Sequence, residues 1–275
     1  MNTPQLADQD VLRQFRLDGR VAFLSGATGH LGRLMADALA GAGAHVVLNA
    51  RAGDKLDALC TELRSRGRKV SAACFDVTDE AAVLQNIALI GELHGRLDIV
   101  VNNASSGRAG TIESTTLADF EQAYRVNVMA AFQMIQAAVP LMRESAKSTA
   151  GSSVVNVASM YGSVSPNPSI YGTSGANNPP SYGAAKAALT QLTRYSACHL
   201  AGEGIRVNCI SPGPFPAAVY LEKDPGFHER LKEKVPMRRT GEPRELCGPL
   251  LFLASDASSY VTGVDLAVDG GWTAW

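Results

Sequence analysis

The 275-residue chain lacks an excess of either charge, with 25 lysines and arginines against 26 aspartates and glutamates. No global basic field points to nucleic acid and no polybasic run points to a membrane surface, so a small molecule is the expected partner. Long apolar runs are missing too; none approaches the roughly 20 residues of a membrane helix. Nothing repeats at a fixed period, and no Pro/Gly/Ser-rich linker divides the chain. Cysteine pairs are also absent. Cys60, Cys74, Cys198, Cys209 and Cys247 are an odd number without a CxxC, which suits reduced cytosolic thiols better than a disulfide frame or a zinc site. His30, His45, His94, His199 and His228 lack ligand spacing, so no metal is implied. The first 18 residues hold Asp8, Asp10, Arg13 and Arg16 but no apolar stretch. They are expected to form a loosely held arm, neither signal peptide nor anchor, ahead of one domain over 19–275. A cytoplasmic location is the default expectation.

What is present is ordinary globular composition, 46% hydrophobic and 19% charged, enough for one large domain with a buried core. Short β-branched or apolar runs read as seven strands: Arg20–Ser25, His45–Asn49, Lys69–Phe75, Leu97–Asn102, Ser153–Ala158, Ile205–Ile210 and Val264–Val268. Amphipathic patterns near 31–42, 54–66, 79–94, 117–145, 181–202 and 243–254 separate them. Strand–helix–strand crossovers of this spacing predict a single-domain, doubly wound α/β fold with a parallel sheet of about seven strands. Ligands in such sheets bind beyond the carboxyl ends of the strands.

After the first strand comes "SGATGHLG" (25–32). Gly26 permits a tight turn, Gly32 close helix–sheet packing, and the exposed helix N-terminus offers N–H groups to a pyrophosphate. Thr28, Gly29, His30 and Leu31 complete the candidate phosphate loop. The second strand ends "VVLNAR", with Ala50 where NAD-preferring folds usually place an acid. Arg51 follows. Its guanidinium suits a 2′-phosphate, favouring NADP(H) over NAD(H), although a solvated arginine opening a loop would read the same way. Asp76-Val77 stand where a carboxylate would meet adenine, and Asn103-Ala104-Ser105 where small polar residues would meet a ribose; either could be simply a turn.

The fifth strand ends "VVNVASMYG", placing Ser159 at the carboxyl edge. Tyr182 and Lys186 follow at i and i+4 on one face of a helix, so an ammonium stands near the phenol and favours its ionised form. Tyr171, eleven residues earlier and also followed by glycine, has Gly175 at the equivalent place.

"YGAAK" with Ser159, "NNAS", Asn127 in "YRVNVMAAF", "IRVNCISPGP" and the terminal "VDGGW" together resemble the short-chain dehydrogenase/reductase family from Leu17 to Trp272. The resemblance implies a Rossmann-type fold and hydride transfer between a nicotinamide and a carbonyl or alcohol. It implies Tyr182 as acid/base, Ser159 as oxygen orienter, Lys186 as ribose binder and depressor of the phenol pKa, and Asn127 as holder of a proton-relaying water. Pro212, Gly213 and Phe215 would approach the nicotinamide. The ending resembles gluconate 5-dehydrogenase-like compact members, implying a small polar alcohol, sugar acid or polyol as substrate. Broad apolar faces near 117–145 and 181–202 (Val128, Ala131, Phe132, Ile135; Ala188, Leu189, Leu192, Ser196) predict a homo-oligomer, and the resemblance implies a tetramer.

Three departures stand out. His30 occupies the middle-glycine position, leaving the GxxGxxG spacing of the extended members. Ala217 replaces a threonine after the PG motif. Ser159 and Tyr182 are 23 apart, about ten more than usual, and the inserted segment is polar (Ser165, Asn167, Ser169, Thr173, Asn177, Asn178). It reads equally as a hydroxylated-substrate contact or as solvated loop. The alternatives are an idle NADP-binding scaffold protein or an extended-type sugar-nucleotide enzyme.

Overall fold

The computed structural model describes residues 11–172, 177–217 and 224–275. Residues 1–10 of the expected arm, and Thr173 and Gly175, lie outside them. Strands β1 (Val21–Leu24), β2 (His45–Ala50), β3 (Val70–Cys74), β4 (Ile99–Asn102), β5 (Ser152–Val157), β6 (Ile205–Pro212) and β7 (Asp265–Val268) form one parallel sheet. Its order is β3-β2-β1-β4-β5-β6-β7. The order reverses between β1 and β4, which opens the crevice where ligands bind in such sheets.

Helices cover both faces, so β1, β4 and β5 are buried at every position; β1 is apolar throughout, while β5 also buries Ser152, Ser153 and Asn156. On one face α1 (Gly32–Gly41), α2 (Gly53–Ser65) and α8 (Cys247–Ala254) pack Met35, Leu39, Leu56 and Leu250 against Leu24 and Val101. On the other, α3 (Glu80–His94), α5 (Ala130–Ala146) and α6 (Pro180–Leu200) pack Ile87, Met134 and Leu200 against Phe23 and Val100. The sheet domain's contacts begin inside the expected arm. Leu17 is buried in the first cluster, and its N–H donates to Ala42 O at 2.9 Å.

The helical pattern at 117–145 resolves into three pieces: α4 (Leu117–Tyr124), a π-turn at Arg125–Met129 and α5. A Thr116/Asp119 capping box starts α4. A helix that the sequence reading passed over, α7 (Pro225–Lys234), is capped by Asp224 Oδ1 accepting from Phe227 N at 3.0 Å. Leu231 and Val235 join Met160, Ile170, Tyr171 and Trp272 in a small satellite core beside the sheet.

Candidate active site

At the nucleotide end, Gly26 has φ +64, and a Cβ there would lie 2.9 Å from Ala104 Cα. Only glycine lets the end of β4 approach this closely in that conformation. Ser25 Oγ accepts from the N–H groups of Asn103 (2.9 Å) and Ala104 (3.0 Å). The Asn103 side chain donates to Ser25 O at 3.0 Å and Gly26 O at 3.1 Å. Its amide nitrogen is thus committed to bracing the turn, and Asn103 meets the groove as a wall. A groove of about 350 Å³ runs beneath, lined by Gly26, Thr28, Gly29, His30, Leu31 and Gly32 on one side and Arg51, Asp76, Val77, Ala104 and Ser105 on the other. His30 and Gly29 are exposed at its mouth.

Arg51, with 74% of its side chain exposed, holds Nη1 3.8 Å from Asp76 Oδ2. Asp76 Oδ1 accepts from the backbone and hydroxyl of Thr78 at 2.9 and 2.8 Å. Burial opposes the Asp76 charge, but the Thr78 bonds and the Arg51 guanidinium outweigh it and hold the carboxyl below its ordinary value. The groove therefore ends at a cation free to turn toward an anion, with a carboxylate beside it.

The chemical end is a cavity of about 190 Å³ lined by Ser159, Tyr182, Lys186, Pro212, Gly213 and Phe215. Leu31, Asn103 and Ser105 line both spaces, so the two are continuous. Ser159 Oγ accepts from Tyr161 N at 3.2 Å, which leaves its own proton free. Lys186 lies in the core of α6, 5.5 Å from the Tyr182 ring centroid, and Nζ donates to Val157 O at 2.7 Å. Burial lowers the Lys186 ammonium to about 7. The neighbouring Cys209 thiol, pushed up to about 12 by burial and then by Asp265, is neutral and supplies no counter-charge. Burial raises the Tyr182 phenol above its ordinary value, and hydroxyl protons from Ser159 and Ser105 would oppose this; the Ser105 proton is already given to Asn127 Oδ1, so Ser159 alone opposes it.

Two glycines bring these groups together. A Cβ on Gly183 would lie 2.8 Å from Tyr161 O, and one on Gly162 would lie 3.0 Å from Lys186 C. The turn carrying Ser159 thus packs directly on the backbone of α6. Sequence reading missed both. The available signal was a glycine one residue into a motif on a helix, where it costs about 1 kcal/mol relative to alanine and so has a packing reason. Gly213 similarly abuts Asp269, and Gly241 the Phe215 ring, which fixes that ring at the cavity wall. Ala217 lines neither space.

Asn127 sits in the π-turn, 1% exposed. Its amide nitrogen donates to Ser106 O (2.7 Å) and Ala123 O (2.8 Å), and its oxygen accepts from Ser105 Oγ at 2.7 Å. It therefore reaches the cavity only through Ser105. None of the described residues of the inserted segment lines the cavity. Tyr171 is 8% exposed in the satellite core, stacked on Phe227 at 5.8 Å between centroids, with its hydroxyl 3.2 Å from that of Tyr161. Asn167 Oδ1 accepts from Ser169 N and Oγ at 3.0 and 2.8 Å, so this part of the polar composition is turn chemistry. Asn177 O instead accepts from Gly110 N at 3.0 Å, which ties the segment to the β4–α4 loop.

Residues 26–273 match the family model described as enoyl-(acyl carrier protein) reductase. The chain is 35% identical to the rhamnolipids biosynthesis 3-oxoacyl-[acyl-carrier-protein] reductase of Pseudomonas aeruginosa, over 94% of this chain and 98% of that one. It is 34% identical to the gluconate 5-dehydrogenase of Gluconobacter oxydans, over 94% and 96%. A crystal structure of a gluconate 5-dehydrogenase from Burkholderia cenocepacia with NADP and tartrate superposes with a TM-score of 0.86 at 32% identity, covering 96% of this chain and 99% of that one. The chain belongs to the short-chain dehydrogenase/reductase family. This short-chain oxidoreductase spans nearly the whole length of its compact relatives. Among the described residues, no helix of this dehydrogenase is long and apolar enough to cross a membrane, and no group of three His, Cys, Asp or Glu is placed to hold a metal.

Proposed function

We propose that this enzyme moves a hydride between NADP(H) and the carbinol or carbonyl carbon of a small polar substrate, a sugar acid or polyol, with Tyr182 as acid/base. The observation that carries the reading is the convergence of Ser159, Tyr182 and Lys186 on one cavity continuous with the glycine-turn groove. The residues present fit a dinucleotide. The turn at Gly26–Gly32 and the N-terminus of α1 face a pyrophosphate, Val77 and Asp76 the adenine, and Arg51 a 2′-phosphate. When bound, the nicotinamide accepts or supplies the hydride. In oxidation the Tyr182 phenolate takes the proton of the substrate hydroxyl; in reduction the phenol returns it. Ser159 donates its free proton to the substrate oxygen, and Lys186 holds a ribose hydroxyl and favours the phenolate. Asn127 keeps the loop before α4 in register with the cavity. The gluconate 5-dehydrogenase relatives, one bound to NADP and tartrate, support the choice of cofactor and of a hydroxylated acid.

On this reading the protein is a cytoplasmic homotetramer whose domain begins no later than Leu17. Exposed Met129 and Phe132 at the start of α5 and Tyr195 on α6 supply apolar surface for the assembly, and light scattering that found a monomer at micromolar concentration would refute it. The central test is a panel of sugar acids, polyols and simple ketones with NADP⁺ or NADPH, followed by cofactor absorbance. Turnover is expected for hydroxylated acids or polyols, with Tyr182→Phe losing about 10²–10⁴-fold in kcat while cofactor still binds. A near-wild-type Tyr182→Phe would remove the reading.

A further inference from the structure

The hydrogen bonds around Asn127 fix more than its own position. Its amide nitrogen faces two backbone carbonyls, Ser106 O and Ala123 O, which can only accept. The flip state is therefore settled, and Oδ1 faces Ser105. An amide oxygen can only accept, so the 2.7 Å contact spends the single hydroxyl proton of Ser105 on Asn127. What Ser105 presents to the cavity is a lone pair.

Ser105 is one of the residues lining the cavity with Tyr182, Ser159 and Lys186. Its loop closes on the phenol: a Cβ on Gly107, two residues on, would lie 3.3 Å from Tyr182 Cδ2. Ser159 lines the same cavity, and its oxygen is engaged by Tyr161 N while its proton is free. We propose that Ser105 is a positioning residue for Tyr182, held by Asn127 as an acceptor for the phenol proton, so that the two serines address the phenol oxygen with opposite polarity. Ser159 donates and favours the ionised base. Ser105 accepts and favours the protonated acid, and it can donate to a phenolate only by giving up its bond to Asn127. The pair thereby sets the balance between the two protonation states that oxidation and reduction require. This rests on the reading of Tyr182 as the acid/base.

The test is the pH dependence of Ser105→Ala, with Ser105→Thr keeping the hydroxyl. Loss of an acceptor releases the phenol proton more easily. The pH–rate profile of Ser105→Ala should move to lower pH by about half to one unit in the oxidative direction, the size of one hydrogen bond's bias, and Ser105→Thr should keep the wild-type profile. The phenolate absorbance of Tyr182, taken as the difference between each protein and its Tyr182→Phe counterpart, should shift by the same amount. That readout needs no substrate, so it still decides the matter if no panel compound turns over and the proposed reaction fails. An unmoved titration, a shift to higher pH, or a Ser105→Thr profile that follows Ser105→Ala would overturn the proposal. A fall in turnover with unchanged titration would mark Ser105 as a loop fastener only.

Discussion

Replacing Lys186 with methionine should make the protein more stable and less active at neutral pH. Lys186 is 2% exposed, among the described residues its ammonium donates to Val157 O, and burial brings it from an ordinary 10.5 to about 7. A folded value below the unfolded one means that the unfolded chain binds a proton the native lysine has lost. Stability is therefore missing below pH 7 and regained as pH rises from 7 toward 10.5. At about 1.4 kcal/mol per pH unit, the cost at pH 7 is roughly 4 kcal/mol, with the lysine half charged. Methionine removes that cost but forfeits the bond to Val157 O and leaves a buried carbonyl unpaired, about 1–3 kcal/mol in the other direction. The net expectation is a gain of roughly 1–3 kcal/mol at pH 7. The two stability curves should cross near pH ~9, where the wild-type cost has fallen to about 2 kcal/mol. Urea unfolding followed by tryptophan fluorescence, at fixed protein concentration from pH 7 to 10, measures both curves. A variant less stable at pH 7, or a wild-type curve flat across this window, would refute the reasoning. Turnover in the same variant should fall, with the pH–rate profile moved upward, because the phenolate loses its nearest positive charge.

Three further outcomes are expected. Arg51→Ala should weaken NADPH binding by about 1.5–3 kcal/mol and leave NADH nearly untouched; equal losses in a fluorescence titration would mean that Arg51 is only a partner for Asp76. Gly183→Ala should keep the helical circular dichroism yet reduce kcat at least tenfold, since the new Cβ meets Tyr161 O and pushes the Ser159 turn off α6, and misplacement by about 1 Å can cost 10²-fold; full activity would show that the close approach is dispensable. Tyr171→Phe should cost about 1 kcal/mol in unfolding stability through the lost hydroxyl contact with Tyr161 and leave kcat within a few-fold, so abolished turnover would move the chemistry to the wrong tyrosine.

The seven strands were legible as short β-branched or apolar stretches bounded by turn residues, most plainly in β1, "VAFL", which is buried throughout. The Tyr182–Lys186 pair was legible because i and i+4 fix a shared helix face without reference to the rest of the fold. Other features were not. The break at 125–129 leaves the helical spacing of apolar residues nearly intact, so periodicity ran straight through a π-turn. The α7 segment shows only Phe227 and Leu231 among charged residues, with Val235 just beyond, and the surface they bury against includes the insertion itself. The composition of the insertion fits either use, since asparagine and serine make turns with the same groups that would bind a hydroxylated ligand; at Asn167 and Ser169 the structure shows the turn. Asn103 has a second use that the sequence did not show: its amide nitrogen braces Ser25 O and Gly26 O while the residue still lines the groove.

Behind the cavity, Asn102 Nδ2 donates to Asn156 Oδ1 and Asn156 Nδ2 to Thr193 Oγ1, each at 2.8 Å, joining β4, β5 and α6 through side chains 7%, 0% and 0% exposed. Removing any one member strands a buried amide or hydroxyl at about 1–3 kcal/mol, whereas replacing the set with apolar groups of similar shape is nearly neutral. Natural variation at 102, 156 and 193 should therefore be locked together. The path to an apolar core passes through intermediates worse than either end, and a sequence carrying one of these three residues should carry the other two.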